Sequence, residues 1–447
     1  MDRAVVFLVI CCLTLSTGLV DGQSLEVEPI WLTVSSLYRT PIHGAALIDR
    51  EIQLNWQDGV EEVALFTSDP TLNQTPVVRI RTEDYPDGSY QSYYSLARPT
   101  LVGGWELDHP GPQESGDHCL NFWIGSYRND TLEQVECLKI RPTWMSDNKL
   151  SIGGLSLTSL VWPGTHNSGC YRRGDTLSLR DTLARFVLTQ DQDVWSQLVY
   201  GVRYIDVRVG FYPVKRWNTS EQISHDNSFW INHDLIKVRP LVPVLREIRQ
   251  FLEKAEGEIV VLDLHRFPVG FSGRHARHNR LVELLERELR EVAVEYCGEW
   301  PTLDKLWQQS PKGRLIIAYG DNEVVKKHSW LWPPVRQQWG NQQSVEGLEE
   351  FLENCMNDTE LREPQRGLWA AMAQLTPGQL ELLFNRKASL RTMAHSVNSQ
   401  LTGWLRDRWW QQANIVTSDF FLGNNVVDVA IAANVEKGNA LKRYELM

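Results

Sequence analysis

The chain has 447 residues, a formal net charge of −11, and lysines and arginines that are scattered rather than clustered. This length suffices for two domains, and the charge leaves no basic surface for nucleic acid, so a nucleic-acid-binding protein is not expected. The same charge predicts no strong attraction to anionic lipid.

The first 22 residues have the pattern of a secretory signal peptide. A short charged start is followed by an apolar run from Ala4 and by small residues near Gly22. The apolar run is short for a membrane span, which favours a cleaved leader over a retained anchor. We therefore expect a secreted, extracellular protein.

Five cysteines follow this leader, and their odd number leaves at least one thiol free or paired between chains. Cys119 and Cys137 flank a predicted hairpin, so we expect a disulfide between them. The pairing of Cys170, Cys297 and Cys355 stays open.

Four Asn-X-Ser/Thr sequons are candidate glycosylation sites, and in an exported chain each is expected on an exposed loop. They are Asn73, Asn129, Asn218 and Asn357.

Residues 23–147 are predicted to form a small antiparallel β-sandwich. Short alternating or β-branched runs such as EIQLNW, EEVALFTS and EQVECLKIR are separated by turn sequences such as PDGS. Several strands at this spacing are typical of a sandwich. No group of residues in this segment suggests catalysis, so a structural or adhesion module is expected.

In residues 148–447, predicted strands alternate with predicted helices. The strands include VRYIDVRVG and EIVVLDLHRF, and the helices include PLVPVLREIRQFLEKAEG and TLARFVLTQDQDVWSQLVYG. This alternation predicts an α/β fold, a TIM-like (β/α) barrel, with a doubly wound sheet as the alternative.

Polar side chains occur at the C-terminal ends of the predicted barrel strands, where the active sites of such barrels form. One imidazole can take a proton from an attacking hydroxyl while another gives a proton to a leaving alkoxide. A guanidinium can donate paired hydrogen bonds to phosphoryl oxygens. The combination therefore suits cleavage of a phosphodiester. The residues are, in chain order, His166, Asp206, Arg208, His233, Asp263, His265 and Asp419.

The ordered segments GTHNSG, QLVYGVRYIDVR, INHDL and EIVVLDLHRF are similar to the X domain of phosphatidylinositol-specific phospholipase C. The resemblance covers residues 150–430 and is strongest to X-domain-containing proteins that lack the other signalling-enzyme modules. It implies a phosphoric diester hydrolase that acts on a phosphoinositide or a related phospholipid headgroup, with transient contact to a membrane surface.

The resemblance also implies a role for each matching residue. His166 matches the base that deprotonates the inositol 2-hydroxyl, and His233 matches the acid that protonates the diacylglycerol oxygen. Arg208 matches the arginine that stabilises the phosphorane on the way to a 1,2-cyclic inositol phosphate. Asp419 is expected to fix the tautomer of His166, whereas His265 is expected only to pack. The residues expected beside the substrate are Asn167, Asp206, Asp263 and Asp419.

Calcium is the one cofactor that the resemblance raises. Asn167 follows the first histidine, as in calcium-dependent members of the family, and Asp206 and Asp263 could add oxygen ligands. Arg208, however, lies where those enzymes have an acidic ligand, and its guanidinium supplies the positive charge that calcium would bring. A metal-independent enzyme without a cofactor is therefore favoured.

Two alternatives to this enzyme remain open. A barrel without useful turnover would be a lipid-binding or inositol-phosphate-binding protein, and an active one could cleave another glycerophospholipid. The presence of both histidines and the arginine favours the enzyme.

Two further motifs fall outside the catalytic pattern. His275 and His278 form an HxxH pattern without a third ligand, so a solvated basic loop is favoured over a zinc site. Trp330, Trp332 and Trp339 could insert into a lipid interface, but packing against the barrel mouth is favoured.

Overall fold

The computed structural model describes residues 24–37, 50–96, 100–171, 184–213, 225–309, 314–378 and 388–445. The predicted signal peptide and the sequon at Asn218 lie outside these ranges. Within them, no helix combines the length and the apolar composition that a membrane crossing requires.

Two antiparallel sheets form from the first strands of the described chain. Their strands are β1 Ile30–Val34, β2 Glu51–Trp56, β3 Glu62–Phe66, β4 Val78–Arg81, β5 Ser89–Ser95, β6 His118–Arg128 and β7 Thr131–Ile140. One sheet has the order β1-β2-β5 and the other the order β4-β3-β6-β7. The predicted antiparallel sandwich is therefore confirmed, although β5 (SYQSYYS) lacks the apolar alternation that would have predicted it.

A disulfide joins Cys119 to Cys137 across the β6–β7 hairpin, with the two Cα atoms 5.6 Å apart. Proximity in the hairpin explains the pairing, because antiparallel neighbours bring residues of nearby sequence within bonding distance. Cys170 and Cys355 are buried free thiols, and Cys297 is an exposed one.

The remaining strands form the barrel sheet and a hairpin on it. They are β8 Trp162–Thr165, β9 Tyr204–Phe211, β10 Phe229–His233, β11 Ile236–Pro240, β12 Val260–Val269, β13 Leu315–Tyr319, β14 Leu331–Trp332, β15 Arg336–Gln338, β16 Trp369–Met372 and β17 Ile415–Ser418. The order is β14-β13-β12-β9-β8-β17-β16-β15, and the pairs along it are parallel. β17, the last strand in the chain, thus pairs with β8, the first strand of the barrel sheet.

The two edge strands of this sheet, β14 and β15, are joined by residues 333–335. So short a link spans at most about 14 Å, so the sheet must curl until its edges approach one another. The TIM-like barrel is confirmed, with its sheet open at this one place among the described strands.

The helices accompany the sheet on its outer side. They are α1 Trp144–Asp147, α2 Lys149–Ile152, α3 Val194–Val199, α4 Leu241–Lys254, α5 His275–Leu289, α6 Leu303–Gln309, α7 Asn322–Val325, α8 Val345–Asn357, α9 Leu390–Trp404 and α10 Val426–Glu445. A π-helical turn, Leu405–Trp409, continues α9. In α4, for example, Leu241, Leu245, Ile248 and Leu252 are buried. This spacing of three to four residues gives one apolar face that covers the sheet.

The helix predicted in TLARFVLTQDQDVWSQLVYG is wrong for most of its described part. The regular α-helix there is α3. It starts at Val194 because the Asp193 side chain caps it by accepting a hydrogen bond from the Ser196 backbone N–H. Gly201 ends the segment with a φ of 110°, a conformation that glycine adopts without strain. Val187, in a turn, and Gln190, in irregular backbone, precede the helix, and both contact the site described below.

The sandwich packs directly on the barrel. The Trp195 indole donates a hydrogen bond of 2.8 Å to the Trp105 carbonyl, and the Trp105 ring lies 6.1 Å from that of Phe251. A further link is the ion pair of 2.6 Å between Arg141 and Asp428. Buried apolar residues form one continuous cluster across this contact. The boundary between residues 147 and 148 stays a prediction.

Candidate active site

His166 directly follows β8 and is held at the C-terminal mouth of the barrel. Its backbone N–H donates to the Ser418 carbonyl at 3.1 Å, and the Gln190 amide donates to the carbonyls of both residues. Gly164 lets β8 approach its neighbour, because a Cβ there would lie 2.8 Å from the Tyr204 ring. The imidazole is 7% exposed, so it is fixed at the edge of the solvent.

The imidazole of His166 has a different partner on each nitrogen. Its Nδ1 lies 2.8 Å from Oδ1 of Asp419, which accepts the Nδ1 hydrogen. Its Nε2 lies 3.0 Å from a guanidinium nitrogen of Arg208 and 3.2 Å from the Asn167 amide nitrogen. Both of these groups are donors, so Nε2 is the acceptor of a neutral imidazole. This is the tautomer that a general base needs.

His233 reaches the site by a route that the sequence did not indicate. It ends β10, which is not a barrel strand of the predicted parallel kind but runs antiparallel to β9. Ile231 pairs with Val209, so the hairpin brings His233, two residues later, back beside the part of β9 that carries Arg208. The two imidazoles then have ring centroids 6.3 Å apart and are nearly perpendicular, at 89°.

A backbone carbonyl orients the second imidazole. Nδ1 of His233 donates to the carbonyl of Val187 at 2.7 Å, which directs Nε2 away from this partner. Burial lowers the pKa of His233, the bond to Val187 opposes this effect, and the charges of His166 and Arg208 add to the lowering. A charged imidazole is therefore disfavoured at this position until an anion approaches it.

Asp206 is fully buried below Arg208. Its Oδ2 accepts a hydrogen bond of 3.0 Å from the Asn167 backbone N–H and lies 3.5 Å from the Arg208 guanidinium. Burial alone would raise the pKa of this carboxyl, but Arg208, His166, His265 and the Asn167 N–H together lower it. Asp206 is thus an ionised group that holds the Arg208 side chain and the turn after β8.

Asp263 is the partner of Asp206 on the adjacent parallel strand. The Tyr204 hydroxyl donates to its Oδ2 at 2.7 Å, while its buried Oδ1 has no partner among the described residues. Burial, and then the charge of Asp206, raise the pKa of Asp263 to about 8. Near neutral pH, Asp206 is therefore ionised and Asp263 is mostly protonated.

Gln337 bridges the carboxyl groups of Asp206 and Asp263, and the sequence did not predict it as a site residue. Its amide nitrogen lies 3.2 Å from Asp206 Oδ1, 3.2 Å from Asp263 Oδ2 and 3.0 Å from the Tyr204 hydroxyl. It lies on β15, a strand of three half-buried polar residues, RQQ. Such a segment carries neither apolar alternation nor a reactive side chain, so no sequence signal marked it.

The oxygen donors at the site do not fit calcium. Both Asp206 oxygens already accept hydrogen bonds, and the Arg208 guanidinium lies beside them. In the segments that form the site, the buried side-chain oxygens without a partner among the described residues are Asn167 Oδ1, Asn232 Oδ1 and Asp263 Oδ1, whereas calcium takes about six to eight oxygen ligands. Throughout the described chain, no group of three or more His, Cys, Asp or Glu residues could hold a metal ion.

Two of the three tryptophans of the predicted aromatic loop are buried. Trp330 and Trp332 are 6% and 1% exposed, and the Trp332 indole donates a hydrogen bond of 2.9 Å to the Val294 carbonyl, near the start of β13, so Trp332 does not pack against the barrel mouth as predicted. Trp339, just after β15, is 46% exposed, and Leu235, in the β10–β11 turn two residues after His233, is 74% exposed. Two apolar side chains therefore project from segments that flank the site.

His275 and His278 lie in α5, so the solvated loop predicted for this segment is wrong from His275 onward. His278 is buried, bonds through Nδ1 to the Tyr319 hydroxyl at 2.8 Å, and lies against Phe267. His275 is exposed at the start of α5. The sequons at Asn73, Asn129 and Asn357 are on exposed residues, as glycosylation requires.

Comparison with known proteins gave relatives that match about two thirds of the chain. No protein-family model matches the chain. PI-PLC X domain-containing protein 1 of Homo sapiens is 26% identical over 329 residues, covering 68% of this chain and 96% of the relative. The variant-surface-glycoprotein phospholipase C of Trypanosoma cruzi is 26% identical over 306 residues, covering 59% and 76% respectively. A phosphatidylinositol-specific phospholipase C structure from Staphylococcus aureus has a TM-score of 0.50 at 16% identity, covering 65% of this chain and 97% of that one.

Proposed function

We propose that this chain, which is similar to PI-PLC X domain-containing protein 1 and to a variant-surface-glycoprotein phospholipase C, cleaves the phosphodiester of phosphatidylinositol or a related phospholipid headgroup. One observation carries the proposal. His166 and His233 face one another beside the Arg208 guanidinium, and each is oriented by its own hydrogen-bond acceptor. A base, an acid and a fixed positive charge are the groups that this reaction requires.

In the proposed reaction, Nε2 of His166 takes the proton of a headgroup hydroxyl, which in inositol is the 2-hydroxyl. The hydroxyl oxygen forms a bond to phosphorus while the bond from phosphorus to the diacylglycerol oxygen breaks. Protonated His233 gives its proton to that leaving oxygen, and Arg208 donates hydrogen bonds to the phosphoryl oxygens. The products are a cyclic inositol phosphate and diacylglycerol. The same two histidines in exchanged roles can then add water to the cyclic product.

Substrate binding is expected to break the hydrogen bond from Arg208 to Nε2 of His166, the proposed base. Arg208 donates to Nε2 of His166 at 3.0 Å and so engages the lone pair that must accept the proton. A phosphodiester offers the guanidinium two charged oxygens, which are better acceptors than an imidazole nitrogen. A bound phosphate would thus draw Arg208 away from Nε2 and leave the Asn167 amide, at 3.2 Å, as its remaining donor.

We further propose that this chemistry needs no resident metal. The Arg208 guanidinium already lies between His166 and Asp206, so it supplies the positive charge at the phosphoryl group. The shortage of free oxygen ligands described above supports the same conclusion. Hydrolysis should therefore persist in a strong chelator.

Export from the cell is also a proposal. The leader pattern of residues 1–22, the Cys119–Cys137 disulfide and the exposed sequon asparagines support it together. Disulfides persist in oxidising compartments and are rare in the cytosol. A secreted enzyme would meet its substrate on a membrane surface, where Leu235 and Trp339 are placed to make contact.

The test is hydrolysis of phosphatidylinositol vesicles by the purified secreted protein, with chelator or with added calcium. His166→Ala should abolish product formation, and the matched control His109→Ala, an exposed histidine of the sandwich portion, should retain it. Product in chelator that depends on His166 supports the proposal. Product that requires calcium would overturn metal independence. No product from folded protein under either condition would favour the binding-protein alternative.

A further inference from the structure

Residues 187–192 form an irregular, mostly buried segment that contacts both proposed catalytic histidines. The Val187 carbonyl accepts the hydrogen on Nδ1 of His233 at 2.7 Å, and the Gln190 amide donates to the His166 carbonyl at 3.1 Å. The acid and the base therefore depend on one short stretch of backbone. A displacement of this stretch would move both imidazoles relative to the phosphodiester.

The same segment is bonded to the two turns that carry the base and its carboxylate partner. The Thr189 hydroxyl donates to the Asn167 carbonyl at 2.9 Å, and the Phe420 N–H donates to the Thr189 carbonyl at 2.8 Å. Asn167 follows His166 in the chain, and Phe420 follows Asp419. The segment is thus fixed to both members of the His166–Asp419 pair.

Asp191 ties the segment to α9. Its carboxylate accepts two hydrogen bonds from the Arg391 guanidinium, that from Nη1 to Oδ2 being 2.9 Å long. Arg391 is 3% exposed. Because two parallel bonds fix the geometry of this ion pair and little water screens it, the pair holds Asp191 in one position.

Two residues of the sandwich portion complete this contact. The Arg391 guanidinium donates to the Ser36 carbonyl at 3.2 Å, and the Ser36 hydroxyl donates to the Arg391 carbonyl at 2.9 Å. The Arg50 guanidinium donates to the Asp191 carbonyl at 3.2 Å. Ser36 follows β1 and Arg50 precedes its antiparallel neighbour β2, so both lie at one end of this sheet. Together with Asp191 and Arg391 they form what we call the Asp191 clamp.

The clamp is closely packed. Arg50, Asp191 and Phe420 are among the residues that line a cavity of about 10 Å³, which is near the lower limit for a single water molecule. Little water can therefore compete for the hydrogen bonds of the clamp, and solvent cannot readily replace one that is lost.

Phe420, which follows Asp419, needs support of this kind. Its φ is 47°, in the left-handed region that a bulky residue seldom adopts. Such a conformation persists only where the surrounding contacts enforce it. The Arg391 guanidinium, 4.2 Å from the centre of the Phe420 ring, is one of these contacts. The clamp thus also supports the turn that carries the carboxylate partner of His166.

We infer that the Asp191 clamp is a positioning device through which the sandwich fixes both histidines in their reactive places. The inference rests on the proposed function, in which His166 is the base and His233 is the acid. The clamp residues act through the Val187 carbonyl and the Gln190 amide rather than on the reacting atoms. This gives the sandwich a role in catalysis that its sequence did not suggest.

The test compares phosphatidylinositol with an analogue in which sulfur replaces the leaving diacylglycerol oxygen, both in neutral carrier vesicles. The analogue needs the base but not the acid, because a thiolate leaves without a proton. Arg50→Gln should lower kcat for phosphatidylinositol about tenfold with little change in KM, since one hydrogen bond from a charged group is lost. It should lower kcat for the analogue less, because the analogue does not depend on His233.

The matched control is Arg81→Gln, a change at an exposed arginine of the sandwich, which should keep both rates. A merely structural effect of Arg50→Gln would reduce the fraction of active protein and so lower the two rates in equal proportion. Equal losses would therefore overturn the inference, as would wild-type rates in Arg50→Gln.

A second variant, Asp191→Asn/Arg391→Gln, removes the ion pair without leaving one buried charge unpaired, so we expect it to fold. Its kcat for phosphatidylinositol should fall about 10²-fold, which is the effect of a misplacement of about 1 Å at the reacting groups. Thermal unfolding verifies the fold. Wild-type turnover by the folded double variant would show that the clamp positions neither histidine.

A spectroscopic measurement separates failure of the inference from failure of the proposed function. The imidazole Cε1–H resonances of His166 and His233 require no turnover, and their loss in His166→Ala and His233→Ala assigns them. Arg50→Gln should shift both resonances, and Arg81→Gln should shift neither. If the wild-type protein cleaves neither lipid, shifts confined to Arg50→Gln still support the clamp. Resonances that stay unchanged in Arg50→Gln overturn it.

Discussion

Nδ1 of His166 lies 2.8 Å from Oδ1 of Asp419, although the two residues are 253 positions apart in the chain. They meet because β17 pairs with β8, so the residues that follow these two strands are neighbours at the barrel mouth. The carboxylate accepts the Nδ1 hydrogen and leaves Nε2 as the proton acceptor.

Asp419→Asn should reduce turnover by about 10²–10⁴-fold, because an amide can donate to Nδ1 and so stabilise the tautomer with hydrogen on Nε2. The protein should remain folded, since the substitution keeps the shape of the side chain. Steady-state kinetics and thermal unfolding would check this. Turnover of Asp419→Asn at the wild-type rate would show that Asp419 does not fix the tautomer.

The pH dependence of kcat/KM should report the protonation state of His233. Burial lowers its pKa below the ordinary 6.5, so the protonated acid form is lost as the pH rises through this lowered value. We expect kcat/KM for phosphatidylinositol to fall with rising pH from below about 6.5. An analogue with a thiolate leaving group needs no proton, so it should not show this fall. The same decline with both substrates would assign it to another group.

Asp263→Asn should change how stability depends on pH. The pKa of Asp263 is raised to about 8 by burial and by Asp206, so the stability that its proton contributes is complete below the unfolded pKa near 4. That stability is lost as the pH rises toward 8. The variant cannot ionise, so relative to wild type it should gain about 1–3 kcal/mol between pH 5 and pH 8. Urea unfolding at the two pH values measures this, and parallel losses in both proteins would show that ionisation of Asp263 is not the cause.

Gln337→Met should reveal the role of the amide that bridges the two carboxyl groups. The variant keeps the side-chain volume but removes the donor to Asp206, Asp263 and Tyr204, which should cost about 1–3 kcal/mol of unfolding free energy. The matched control is Gln338→Met, because the Gln338 amide donates only to the Arg336 carbonyl at 3.2 Å among the described residues. Equal destabilisation by the two changes would argue against a bridging function.

Trp339→Ala should weaken binding to phosphatidylinositol vesicles several-fold, because an exposed indole at the mouth is suited to the membrane interface. Leu235→Ala should act in the same direction. Leu150→Ala is the control, since Leu150 is 88% exposed in α2, which precedes the first barrel strand. Vesicle sedimentation measures all three variants. A loss of binding as large for Leu150→Ala as for Trp339→Ala would indicate a non-specific effect of surface hydrophobicity.

The sequence by itself determined the features that depend on local spacing. Alternation along one strand places Asp206 and Arg208 on the same face, and a short hairpin brings Cys119 to Cys137. The position of His166 and Asp419 at strand ends followed from the rule that parallel barrel strands present their C-terminal ends to one mouth.

Only the tertiary structure decided how these groups act on one another. It returned His233 to the site on an antiparallel hairpin, set the Val187 carbonyl against it, and inserted Gln337 between two carboxyl groups. It also buried Asp263 near Asp206, and burial together with the Asp206 charge raises the pKa of Asp263. These features depend on burial and on contacts between distant segments, whereas sequence periodicity records only which face of its own strand or helix a residue occupies.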